Sequence, residues 1–152
     1  MTAPKVQSFF LINMEIKIIK LFLRLALAAG FLYASIDRLN DIIGILNPNT
    51  VFWGNWNNFV AYTSKLMPWF PHWLVLTLAI IATICEIVFG ICLLIGWKTN
   101  QAARLSGVLL LLFAIFMSLT VGLPTVFAYS VYSASAAAFA LSTFKVKFLE
   151  FK

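Results

Sequence analysis

The chain has 152 residues, 62% of them hydrophobic and 11% charged, with a mean hydropathy of +0.97. A soluble domain carries about 25% charged residues, so a soluble enzyme or binding module is excluded and an integral membrane protein remains. The net charge of +6 does not point to nucleic acid, because the Lys and Arg residues flank apolar runs, where they act as topology determinants.

Residues 1–13 read as a ragged leader that is expected to be disordered. The apolar patch from Phe9 to Ile12 is too short for a signal-peptide core. Met14 opens a second plausible start, MEIKIIKLFLRL. The first crossing is expected over 18–39, with Lys17 and Lys20 snorkelling at its edge and Arg24 one turn deeper. Ala26, Gly30 and Ala34 recur every fourth residue and form a smooth stripe suited to close helix packing. The long loop that follows carries an amphipathic stretch at 55–67. Trp56, Phe59, Val60, Thr63, Leu66 and Met67 share one side, and Asn57, Asn58, Ser64 and Lys65 the other. At about half the length of a span, it is expected to lie in the membrane interface. PWFPHW, Pro68 to Trp73, then leads into the membrane with prolines and interfacial aromatics.

The second crossing, 74–97, is apolar throughout except for Glu86 near its middle. An ionised carboxylate at that depth costs at least ~2.5–3.5 kcal/mol, so it must be paired, hydrated or protonated. Cys85 and Cys92 lie seven residues apart on this helix, too far for an intrachain disulfide, and read as small buried hydrophobes. Lys98 to Arg104 is a basic link. The third crossing is expected at 105–123 and the fourth at 125–144, where Ser130, Ala134 and Ala138, like Gly90 on the second, offer further small packing positions. The fold expected is all-α: one domain, a four-helix transmembrane bundle with a short interfacial helix in the first loop. Lys5, Lys17, Lys20 and Arg24, the link, and Lys145, Lys147 and Lys152 all fall on one side. Only Arg38 and Lys65 fall on the other, so both termini are expected to be cytoplasmic.

Depth arithmetic suggests a partner for Glu86. Glu86 is twelve residues from Leu74, ~18 Å, and Arg24 is fifteen from Leu39, ~22 Å, on consecutive antiparallel helices. Arg24 and Glu86 are therefore expected to meet, either as an ion pair fixing helix register or as a polar core that binds a ligand or carries a proton. Two other readings stay open: Arg24 snorkelling to phosphates, and Glu86 protonated. A second, outer polar site is expected from Asp37, Arg38, Tyr129, Tyr132 and Ser133. There a guanidinium would hold an oxyanion or a quinone carbonyl, or the group simply caps the interface. The single histidine, His72, excludes bis-histidine haem within one chain. No Cys/His metal set, phosphate-cradling glycine loop or activated serine is evident. No catalytic residue or metal ligand is therefore assigned, and a self-contained redox enzyme is hard to build from these residues.

The stretches RLALAAGFLYASIDRL (Arg24 to Leu39) and EIVFGICLLIGWKTNQAAR (Glu86 to Arg104) resemble the DoxX family of four-helix bacterial membrane proteins and the related DoxD and MauE groups. Arg24, Arg38, Glu86, Gly90, Gly96 and Arg104 stand at matching places. Ser35 departs from the glycine common in DoxX, and ASID is closer to MauE. The resemblance implies a multi-pass protein of the bacterial inner membrane, a non-catalytic or quinone-contacting subunit of a redox assembly. No cofactor is expected on the chain alone beyond a possible quinone. Its partners would be the lipid bilayer, other membrane or redox proteins and, in an oligomer, further copies, but not nucleic acid. The competing expectations are a small-molecule binding or transport module and a structural or assembly factor.

Overall fold

The computed structural model describes residues 3–145 and 149–151, with side chains from Leu11 onward; Lys147 and Lys152 of the basic tail lie outside the described residues. The described residues are all-helical apart from one isolated bridge between Trp97 and Phe151. The elements in order are α1 (Ala3–Arg38), α2 (Asn40–Ile43), α3 (Trp56–Leu66), α4 (His72–Ile95), α5 (Thr99–Thr120), α6 (Leu123–Ala128) and α7 (Val131–Thr143). Three of them contain stretches long and apolar enough to cross a membrane: Leu11–Arg38, His72–Ile95 and Thr99–Thr120.

Two expectations change here. Helix α1 begins at Ala3, so the stretch expected to be disordered is helical from there. Pro4 is tolerated in a first turn, and no breaker follows before Gly30. The expected fourth crossing is not one helix. Gly122, with φ 94, opens α6, and Ser130, at φ 53, separates α6 from α7. The break frees backbone groups, and the Ser130 N–H finds the Phe127 carbonyl at 3.0 Å instead of continuing the helical ladder.

The register of α1 against α4 can be read from the glycines. A Cβ on Gly90 would lie 2.9 Å from Leu32 Cγ and 3.3 Å from Phe31 Cβ, and one on Gly96 would lie 2.9 Å from Arg24 Nη1. Gly90 therefore lets the two helices touch at the level of Phe31. Moving four residues along each helix toward the long loop brings Glu86 level with Ser35. Helix α1 ends one turn later, at Arg38, but α4 continues for eleven residues from Ala82 back to His72, or about 16 Å.

Helix α3 covers this overhang. Phe59 and Val60 pack on Ala79, and Leu66 and Met67 on Val75 together with Ala114, Met117 and Val126. Its start is capped by Asn55, whose side chain accepts from the Asn58 N–H at 2.8 Å. At the opposite, basic end, the tail is tied under the bundle. Lys20 Nζ lies 2.7 Å from Glu150 Oε1, Arg24 Nη1 donates to the Leu149 carbonyl at 2.8 Å, and the Phe151 N–H donates to the Gly96 carbonyl at 3.0 Å. Between the ends, α5 and α7 approach closely. Gly107 faces the Phe139 ring, Ser135 donates to the Gly107 carbonyl at 2.8 Å, and Ala103 and Ala138 are fully buried.

Gly90→Val tests this register. The added isopropyl group would push Leu32 and Phe31 away from α4, at a cost of about 1–3 kcal/mol. The variant is expected to melt earlier in detergent, whereas Gly30→Ala, in open space inside α1, is expected to hold or raise the melting temperature.

Candidate functional site

Glu86 is buried on α4, and the guanidinium that meets it comes from Arg38, not Arg24. Arg38 Nη1 lies 2.8 Å from Glu86 Oε2, and Nη2 donates to Oε1 at 3.1 Å. The two-point geometry suits a planar guanidinium facing a carboxylate. Nη1 also donates to Thr83 Oγ1 at 3.1 Å, while that hydroxyl donates to the Ala79 carbonyl at 2.9 Å. Thr83 thus sits one turn from Glu86 on the same face of α4 and completes the cradle. Above the guanidinium, the Phe59 ring centroid is 3.9 Å from Arg38 Cζ, a cation–π contact made by α3. Among the described residues, Arg38 Nε–H has no acceptor and Glu86 Oε2 no aligned hydrogen-bond donor, and both atoms are fully buried.

The Arg24–Glu86 pairing is corrected by the register. Arg24 lies eleven residues from Ser35, the α1 residue level with Glu86, about 16 Å toward the basic end. The depth arithmetic assumed that α1 and α4 end level at the long loop. The overhang of α4 moves Glu86 away from Arg24 and brings it to the last residue of α1.

The outer group of five does not assemble as a unit. Asp37 points away from its neighbour Arg38 and into the loop, where its carboxylate accepts from the backbone N–H groups of Phe52, Trp53 and Gly54 at 3.1, 2.9 and 3.4 Å. Asn40 ties the same loop from its other side by accepting from the Leu46 N–H at 2.8 Å and donating to the Leu46 carbonyl at 3.1 Å. The Tyr132 hydroxyl bonds Ser118 on α5 at 3.0 Å. Ser133 is exposed on α7. Tyr129 and Arg38 both line one cavity.

That cavity measures about 550 Å³. Its floor holds Arg38, Glu86 and Ala82. Its roof is aromatic: Trp53 contacts Phe59 and Tyr62 with ring centroids 5.7 and 4.8 Å apart, and Phe52 reaches Tyr129 at 5.8 Å. Burial pushes the Tyr62 phenol above its ordinary pKa, and the nearby Tyr129 adds to the shift, so Tyr62 remains a neutral O–H donor. Ala26, Gly30 and Ala34 form one wall, facing Ala134 of α7. A Cβ on Gly30 would meet nothing within 4 Å. The stripe that would suit tight packing lines open space here. Ser130 is the helix break between α6 and α7, whereas Gly90 and Ala138 sit in close-packed positions.

Sequence reasoning placed Arg38 at an outer cap and so missed its partnership with Glu86. It also missed Thr83 and Phe59. The available signal was the i, i+3 spacing of Thr83 and Glu86, which puts a hydroxyl and a carboxylate on one helical face inside an apolar run.

Removing one charge leaves the other buried and unpaired, at about 3–5 kcal/mol. Arg38→Met alone is therefore expected to lower thermal stability in detergent strongly, and Arg38→Met with Glu86→Leu to recover much of the loss. Equal melting temperatures for the single variant and wild type would contradict the pairing.

Residues 16–125 match the family described as methylamine utilisation protein MauE. That match is to MauE and not to DoxX specifically. No curated protein and no solved structure matches the chain.

Proposed function

The chain belongs to the MauE family, a match that covers 110 of its 152 residues (16 to 125), and from that premise we propose that this multi-pass membrane protein is the bilayer-embedded subunit of a redox assembly. Its part is to hold a small molecule, in the finer reading a quinone, in the Arg38–Glu86 cavity. The observation that carries the proposal is a charged pair placed at the floor of an otherwise apolar cavity. A charge pair kept only for register would need no space beside it. Here the guanidinium is held from three sides, by Glu86, Thr83 and Phe59, in the lining of the cavity. A fixed, desolvated guanidinium of that kind polarises an acceptor oxygen placed against it more strongly than a mobile one in water. In this reading the electron carrier itself is supplied by a partner protein, in keeping with a family named for the utilisation of methylamine.

A four-helix arrangement in the bacterial inner membrane, with α6 and α7 together providing the fourth pass, belongs to the same proposal. Both termini and the Lys98 link would face the cytoplasm. The cavity also favours a second reading, a binding or transport module, because a buried carboxylate beside accessible space is a feature of transport pathways.

Two measurements separate these readings. The tagged chain, purified from native membranes, is expected to bring a redox-active partner in stoichiometric amount. The Arg38→Met/Glu86→Leu variant should retain that partner and lose electron transfer to an added quinone. Equal transfer by wild type and variant would remove the cavity from the redox role. Substrate flux into vesicles holding the purified chain alone would establish transport instead. For orientation, a cysteine at exposed Asn57 is expected to react with an impermeant reagent on intact cells, and one at exposed Gln101 to stay unlabelled. The reverse pattern would invert the topology.

A further inference from the structure

We infer that the cavity fills from the bilayer rather than from water, and that the Ala26–Gly30–Ala34 face of α1 is the channel for a slender apolar tail. This rests on the cavity reading above and adds the class of ligand and its route. The ligand is a lipid-soluble molecule with a hydrogen-bond-accepting head and an unbranched or narrow hydrocarbon tail.

Three observations on the page carry it. The first is where the lining is exposed. None of the lining residues on α3, α4 or α5 is exposed; those that are exposed are Ala26, Gly30 and Tyr33 on α1, Phe52 in the loop, and Tyr129 between α6 and α7. The mouth therefore lies between α1 and the α6–α7 junction. Gly30 is eight residues inside the end of α1, about 12 Å, within the span Leu11–Arg38. A mouth at that depth opens on hydrocarbon.

The second is the roof. Toward the long loop the route is covered by the Phe52–Tyr129 contact and by Trp53, Phe59 and Tyr62. The loop beneath them is fixed by three N–H bonds to Asp37. This is the side a water-soluble ligand would use, and there the lining is aromatic rather than polar.

The third is the balance of donors and acceptors. Asp37 has spent its oxygens on the loop, and the Tyr33 hydroxyl reaches the Thr50 carbonyl at 3.5 Å. The lining also includes the Arg38 guanidinium and the phenols of Tyr62 and Tyr129. A guanidinium and phenol O–H groups suit a head with acceptor oxygens. Elsewhere in the lining, Gly30 faces open space and is joined by Ala26, Ala34 and Ala134. That stretch is apolar and carries no large side chain, so it offers a methylene chain an unobstructed path.

The test uses the full chain in nanodiscs and two probes, a benzoquinone with a decyl chain and the same ring with a methyl group. Binding of both is measured on wild type, Gly30→Leu and Ala29→Leu. Ala29 is exposed on α1 outside the cavity lining, so its variant controls for added bulk. Gly30→Leu is expected to weaken the decyl probe about tenfold, equivalent to displacing roughly two buried methylenes. The methyl probe, and both probes on Ala29→Leu, should bind as they do to wild type. If Gly30→Leu weakens both probes equally, the groove holds the head and the tail channel is wrong. If it weakens neither, the groove is not on the route. If neither probe binds wild type, the quinone reading of the cavity fails, and this inference with it. A photoreactive group at the end of the decyl chain supplies a second readout that does not depend on the variant. Labelling of Ala26 to Ala34 or of Val131 to Ala134 is expected, and labelling confined to the 44–55 loop would place the tail at the water side and overturn the route.

Discussion

A carboxylate in the middle of an apolar helix has to be answered by another group, and much of this architecture follows from how Glu86 is answered. The desolvation cost of two buried charges is recovered only with good geometry and few spare valences. Arg38 supplies the geometry, Thr83 takes part of what remains, and Phe59 offers its ring face. Arg38 is the last residue of α1, and its guanidinium reaches Glu86 from that end. Asp37 holds the ending in place by turning the chain into a loop whose N–H groups it collects.

Stopping α1 halfway along α4 leaves a vacancy at the loop end that α3 only partly fills. Helix α3 is eleven residues long and lies against α4 and α5. The remaining space is the cavity, bounded on its other side by the small residues of α1. Site and scaffold thus share one cause. The pair sits where α1 stops, the stop makes room for α3, and the mismatch in length between α1 and α4 leaves the space beside the pair.

The membrane character, the three long helices and the importance of Glu86 were legible, because hydropathy and an isolated charge are properties of single segments. The face of α3 that carries Phe59, Val60, Thr63 and Leu66 follows from helical spacing alone. Partner choice was not legible, because it depends on the offset between α1 and α4. Local sequence carries no measure of that offset; the tight Gly90–Leu32 contact sets it. The Ala26–Gly30–Ala34 stripe shows a related limit. Small residues permit close approach equally to a helix, a lipid or a ligand, and only the placement of α7 decides among them. The left-handed conformation of Ser130 had no signature, since serine is common in transmembrane helices and rarely breaks one.

The clasp at the basic end joins Lys20 to Glu150, residues 130 positions apart (150 minus 20). Synthesis runs from the N-terminus, so α1 is threaded into the bilayer long before Glu150 and the Leu149 carbonyl exist. Until then Lys20 and Arg24 sit at the basic edge of α1 under the rules that govern any flanking charge, holding the helix at the headgroups. Docking of the tail then converts two topology signals into two internal contacts, and does so only after α7 has been made. The same two side chains therefore serve first in insertion and later in closure, and the completed bundle carries a record of the order in which its parts arrived.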